Sequence, residues 1–259
     1  MGSESKGIKR TLQCVRLIPL DSDPKTRPRG ILLDYGGTLV EELGFDVRAA
    51  HAWMLAQASH VPDGVTLDDV VERAKRVVAP LSGKREELGI EIPWLPLTRL
   101  IYDRFGVRFD VPLADLETGF WDASVLTRAM PGARAALARI HTMAIPMAVL
   151  SNAMFTSATI RHDLDKHGLA DHLEFVMVSS DYVVRKPSHL GCEIAAVRLG
   201  VAPSDIWFVG DRLDTDVAAA RGAGMQAVWL MRPNAAPATE PDLSVASWDE
   251  LVRNLEAAE

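Results

Sequence analysis

The stretch ILLDYGGTLVEE, residues 31–42, sets the architecture of the chain. Three apolar residues, Ile31, Leu32 and Leu33, run directly into an acid, Asp34, and then into Gly36, Gly37 and Thr38. A short apolar run closed by a glycine turn is the pattern of a buried strand. Working outward from it, residues 41–130 carry helical spacing. VRAAHAWMLAQA and LDDVVERAKRVVAPL repeat apolar residues every three or four positions, and PWLPLTRLIYDRFGV predicts a further helix with Pro93 and Pro96 near its start. No strand is expected in this block.

After Pro131-Gly132 the rhythm changes. ARAALARIHTM, SATIRHDLDKHGL, SHLGCEIAAVRLGV, TDVAAARGAGM and SWDELVRNLEAA predict helices. IPMAVLSN, LEFVMVSS, DIWFVGDRLD and QAVWLM predict strands between them. Strands alternating with helices across short loops predict βαβ units and a parallel sheet. The expected fold is α/β, a three-layer Rossmann-like core with an all-helical insertion. The expected domains are an extension over 1–29, a core over 30–40 and 131–259, and a helical cap over 41–130. TLQCVRLIPL predicts a strand within the extension, and DSDPKTRPRG reads as a linker.

Composition narrows the class. The chain has 259 residues, 48% apolar and 24% charged, as in ordinary globular proteins. Its formal charge of −7 argues against a general nucleic-acid binder, which would show a basic stripe. Two distant cysteines, Cys14 and Cys192, lack metal-ligand spacing and predict no disulfide framework. No apolar run approaches the roughly 20 residues of a membrane span, and the start lacks a signal-peptide core. A cytoplasmic address and no membrane partner follow as expectations.

Ligands of open parallel sheets bind beyond the carboxyl ends of the strands. Asp34, Gly36, Gly37 and Thr38 follow the first predicted strand, and Ser151 and Asn152 follow IPMAVL. Arg185-Lys186-Pro187 precedes a helix, and Gly210, Asp211, Arg212, Asp214 and Asp216 follow DIWFV. Carboxylates that face one another repel, and a hard cation such as Mg2+ relieves the repulsion while keeping sites for water and phosphate. A lysine and a hydroxyl beside it suit phosphoryl oxygens, and glycines let backbone N–H groups approach an anion. A carboxylate in that setting is a candidate nucleophile.

These four segments resemble the four signature motifs of the haloacid dehalogenase-like hydrolase superfamily. LLDYGGTLV resembles the first, usually D-x-D-x-T; VLSN the second; KP the third; and VGDRLDTD the fourth, G-D-x4-D. No single motif is specific, but four in order from Gly30 to about Met231 are, with the helical block where that family keeps a cap. The resemblance implies Asp34 as nucleophile, Mg2+ held by Asp34, the Gly36 carbonyl and Asp211, and Asp216 behind them orienting the metal or Lys186. It implies Ser151 and Lys186 on the phosphoryl group, with Gly37, Thr38 and Asn152 beside it; Thr38 would steady the first loop. The implied substrate is a small phosphorylated metabolite. Oligomeric state, monomer or homodimer, stays open.

One departure stands out. Phosphatases of that family carry a second aspartate two residues after the nucleophile, which protonates the leaving alcohol and later activates water; here that position is Gly36. General acid–base catalysis is worth typically ~10²–10⁴-fold. Either the substrate has a good leaving group, or a cap residue or water supplies the proton, or the protein binds phosphorylated ligands or a partner with little turnover. A phosphonatase-like carbon–phosphorus hydrolase is the other alternative, with Lys75 or Lys84 as the cap lysine for a Schiff base. Dehalogenation fits less well, because Asp211 and Asp216 are kept. His51 is a distant candidate for proton transfer. Trp53, Trp94 and Trp121 are expected to pack the cap, and Arg185 and Arg212 to be solvated charges or to select an anionic substrate.

Overall fold

The computed structural model describes residues 26–231 and 240–258. The strand expected in TLQCVRLIPL, and Cys14, lie outside the described residues. The central sheet has six parallel strands in the order β5-β4-β1-β6-β7-β8. They are β1 (Gly30–Leu33), β4 (Met147–Ser151), β5 (Leu173–Val178), β6 (Ile206–Gly210), β7 (Gln226–Leu230) and β8 (Leu243–Val245).

Because side chains alternate along a strand, each strand feeds two apolar layers. Ile31, Leu33, Val149, Val209 and Val228 pack with Leu137 and Ile140 of α5 (Ala133–Thr142), Ile160 and Leu164 of α6 (Ser157–Lys166), and Leu251 and Leu255 of α10 (Trp248–Ala257). Leu32, Ala148, Leu150, Phe208 and Ala227 face the opposite way. They pack with Cys192, Ala195 and Ala196 of α8 (Leu190–Leu199) and Ala219 and Ala220 of α9 (Ala218–Gly222). Three layers result. Each fully buried Val, Leu, Ile or Phe among them contributes roughly 1.5–3 kcal/mol, and the alanines less.

Between β1 and β4 the chain makes helices α1 (Val47–Gln57), α2 (Leu67–Leu88), α3 (Trp94–Tyr102) and α4 (Glu117–Ser124). Local chemistry sets their ends. Asp46 caps α1 through the Ala49 amide, and Thr66 and Asp69 form a reciprocal capping box at the start of α2.

The expectation of no strand over 41–130 is corrected. Val40–Phe45 (β2) and Val125–Ala129 (β3) pair antiparallel, so the block is entered and left through a hairpin and the helices lie within 47–124 only. The pair was hidden because VEELGF places two glutamates side by side and breaks the alternation of a half-buried strand. The short helix α7 (Ser179–Tyr182) and strand β8 were also not foreseen.

Candidate active site

The chain runs from β1 outward through β4 and β5, then returns to the other side of β1 for β6, β7 and β8. The two halves diverge at β1, so a crevice opens beyond its carboxyl end. Asp34 stands there, its amide donating to the Val209 carbonyl at 2.9 Å. Ser151 ends β4 beside it, and Asp211 follows β6.

Lys186 reaches this crevice from the loop between α7 and α8. Its three N–H groups all find oxygen: Asp34 Oδ1 at 2.6 Å, Asp216 Oδ1 at 2.8 Å and the Leu150 carbonyl at 2.9 Å. Asn152 holds the Lys186 backbone from both sides, its Nδ2 donating to the Lys186 carbonyl at 2.9 Å and its Oδ1 accepting from the Lys186 amide at 2.8 Å. Asp34, Lys186 and Asp216 are all buried.

Asp34, Asp211 and Asp216 each offer a carboxylate oxygen, and these atoms lie within 4.8 Å of one another. Burial pushes the Asp34 carboxyl up to about 7; Lys186 pulls it down, and Asp216 and then Asp211 push it up again. Burial alone would lower the Lys186 ammonium, but Asp216 and Asp34 outweigh it and hold it above the ordinary lysine range. Crowded all-oxygen donors of this kind, Asp34 and Asp216 buried and Asp211 half-buried, fit a hard divalent cation, which would favour the ionised acids.

The site depends on Gly210. A Cβ there would lie 2.4 Å from both Cβ and Oδ2 of Asp216, so only glycine lets that acid fold back beneath the strand end. Asp216 Oδ2 also accepts from the Arg212 amide at 3.0 Å, which fixes the loop.

A cavity of about 680 Å³ lies over this floor, between the strand ends and the helical segment. Asp34, Gly36, Ser151, Asn152, Lys186 and Asp216 line it from below; Glu42, Phe45, Arg85, Glu86 and Trp121 line it from the hairpin and the helices. Gly37 and Thr38 are not among the lining residues. The Gly37 amide donates to the Val40 carbonyl at 2.7 Å, and Gly37 adopts φ +84°, so the pair closes a tight turn. Thr38 is fully buried, and its hydroxyl has no partner among the described residues; its carbonyl, held by Trp248 Nε1 at 3.2 Å, is what ties the loop down.

Other candidates sit elsewhere. Lys75 is an exposed helix lysine paired with Glu72 at 2.7 Å, and neither it nor Lys84 lines the cavity. His51 is buried against Tyr102, with Nδ1 and the hydroxyl 2.7 Å apart, and also lies off the cavity. Trp94 and Trp121 pack as expected, but Trp121 also lines the cavity and donates Nε1 to Asp163 at 3.1 Å. Arg212 pairs in two contacts with Asp214 on an exposed loop. Arg185 is not a solvated charge: it is mostly buried and pairs with Glu91.

Three residues were missed. Glu91 is clasped by Arg185 and lies 3.3 Å from Arg85 Nη1, and it accepts from the Ser179 hydroxyl at 2.6 Å. Asp163, fully buried on α6, accepts from Tyr35 Oη at 2.7 Å, Trp121 Nε1 at 3.1 Å and Thr127 Oγ1 at 2.8 Å. An acid on the apolar face between Ile160 and Leu164 was the available signal. The third, Glu42, enters the cavity from β2.

Residues 28–224 match the haloacid dehalogenase-like hydrolase family, and the chain belongs to it. A phosphoserine phosphatase of Thermus thermophilus is 35% identical over 124 residues, 47% of this chain and 49% of that protein. A phosphoglycolate phosphatase of Neisseria meningitidis is 31% identical over 141 residues, 51% of this chain and 58% of that protein. The chain thus spans only about half the length of these relatives. The solved 2-haloacid dehalogenase of Pseudomonas syringae superposes with a TM-score of 0.58 at 20% identity, covering 87% of this chain and 97% of that one. Phosphatases and a dehalogenase therefore share this fold, and chemistry must be argued from the site. No helix among the described residues is long and apolar enough to cross a membrane.

Proposed function

We propose that the protein is a magnesium-dependent phosphatase-type hydrolase of small phosphorylated metabolites, with Asp34 as nucleophile. The observation that carries this is the contact of Lys186 with Asp34 at 2.6 Å inside a cluster completed by Asp211 and Asp216. Asp34, Asp211 and the Gly36 carbonyl would hold Mg2+, with Asp216 behind them. When bound, the ion supplies charge for the phosphoryl oxygens and keeps the nucleophile ionised.

The chain's own residues would do the rest. An Asp34 oxygen attacks phosphorus, the bond to the leaving oxygen breaks, and an aspartyl phosphate forms. Lys186 trades a carboxylate contact for a phosphoryl oxygen, and Ser151 donates its hydroxyl to another. Asn152, engaged with both backbone groups of Lys186, positions the lysine rather than binding substrate. Residues 46–124 would act as a cap that excludes water. The two phosphatase relatives support the reading. The position of Lys75 and Lys84 away from the cavity speaks against Schiff-base cleavage of phosphonates.

The test is a panel of alkyl phosphates, aryl phosphates, acyl phosphates and phosphonates, with Mg2+ and with EDTA. Phosphate release that needs Mg2+ and is lost in Asp34→Asn supports the proposal. Tight Mg2+-dependent binding of these compounds with no turnover of any would replace it with a phospho-ligand sensor.

A further inference from the structure

Position 36 lacks the acid that a simple phosphate ester needs for its leaving group, and the structure shows what occupies the space beside it. A Cβ placed on Gly36 would have Glu42 Oε1 at 3.7 Å and no other atom beyond its chain neighbours within 4 Å. The carboxylate of Glu42 thus reaches from β2 into the volume that a side chain at 36 would enter. Gly36 and Glu42 both line the cavity that holds Asp34.

The hairpin aims it there. Glu41 and Arg128 pair across β2 and β3 at 2.5 Å on one face, so Glu42 points from the opposite face. Its cross-strand partner Thr127 points the same way and donates to Asp163 at 2.8 Å, which fixes that face as the inward one. The register shifts between Glu42 and Gly44, an irregularity of the kind that re-aims a side chain at a site.

No hydrogen bond or ion pair engages the Glu42 carboxylate among the described residues. Glu42 is a solvent-exposed residue at the cavity; around its carboxyl, partial burial and then Asp163 act in the direction that raises it above the ordinary range. Around it stand Asp163 of α6, Tyr35 of the first loop and Thr127 of β3; Lys166 at 3.5 Å and His167 at 3.7 Å pair with Asp163, and Arg85, Arg185 and Arg212 line the same cavity.

We infer that Glu42 is the general acid and base of this enzyme, in place of the aspartate absent at position 36. The inference rests on the phosphatase reading. As Asp34 attacks phosphorus and the electrons of the breaking P–O bond pass to the leaving oxygen, protonated Glu42 gives that oxygen its proton. Alcohol departs, leaving a Glu42 carboxylate and the aspartyl phosphate. Glu42 then takes a proton from water as the water oxygen attacks phosphorus. The bond to Asp34 breaks, phosphate leaves, and both side chains return to their starting states.

The experiment compares kcat/KM of wild type, Glu42→Gln, and Glu42→Gln with Gly36→Asp, on alkyl phosphates and on 4-nitrophenyl phosphate. Because kcat/KM reports transfer to Asp34, Glu42→Gln is expected to lose ~10²-fold or more on alkyl esters and less than about tenfold on the aryl ester, whose leaving group needs no proton. With the aryl ester the variant should release one burst of nitrophenol per enzyme and then turn over slowly. Gly36→Asp in the same chain, which returns a carboxylate to that part of the cavity beside the substituted position 42, should restore alkyl-ester hydrolysis at least tenfold. Equal losses on both ester classes, or no loss on alkyl esters, would overturn the assignment of Glu42 while leaving the phosphatase reading intact. A wild type inactive on every ester, aryl included, would overturn both.

Discussion

Glu91, in the segment between α2 and α3, buries its carboxylate against Arg185, the residue that directly precedes Lys186. Two backbone bonds flank the pair: the Glu91 amide donates to the Val183 carbonyl at 2.6 Å, and the Arg185 amide to the Gly89 carbonyl at 3.1 Å. Removing one partner of a buried ion pair strands the other. Glu91→Ala is therefore expected to cost about 3–5 kcal/mol, because Arg185 and Arg85 would face each other without their shared acid. Urea unfolding measures it; a loss under 1 kcal/mol would show the clasp to be unimportant.

Lys186 separates two buried carboxylates. Lys186→Met is expected to destabilise the protein by about 3–5 kcal/mol in EDTA. Saturating Mg2+ should restore part of that loss, because a cation can serve Asp34 and Asp216 in the lysine's place. Thermal unfolding with and without Mg2+ is the check, and a loss identical in both conditions would count against a cation site.

Gly210→Ala drives a methyl group into Asp216, with 2.4 Å to its Cβ. Asp216 must leave Lys186 and the Arg212 amide. Overpacking of this sort costs roughly 1–3 kcal/mol. The expected signature is a paired loss of stability and of Mg2+ affinity, read by calorimetric titration of the folded variant.

His51 gives a pH signature to the helical segment. Burial lowers it from 6.5 to about 4, so the folded chain keeps it neutral where the unfolded chain protonates it. The sign follows: stability falls as pH drops from about 6.5 towards 4, by up to roughly 3 kcal/mol from this group. His51→Gln should lose less stability over the same range, and the difference between the two proteins isolates the histidine. Parallel pH profiles would show that His51 is not kept neutral in the folded state.

The sequence made much of the floor legible and little of the roof. Asp34, Ser151, Lys186 and Asp216 come together because each ends or follows a parallel strand or enters between two, and one end of such a sheet gathers its loops. The apolar runs ILL, MAVL and WFV announced those strands without any knowledge of their order. Glu42 was illegible for the opposite reason. Its place depends on a hairpin whose return strand begins at Val125, and nothing local in VEELGF signals a partner so distant in the chain. Glu91 and Arg185 likewise meet across 94 residues, and only the packing of the helical segment on the sheet brings them together. Gly37 and Thr38 show the converse: motif position suggested ligand contact, but backbone bonding commits them to the turn.

The flanking bonds of the clasp have a mechanical meaning. The roof of the chamber is riveted one residue away from the ammonium that seats Asp34, so the two parts are geared to each other. A ligand large enough to lift the segment around Glu91 would strain the loop that carries Lys186.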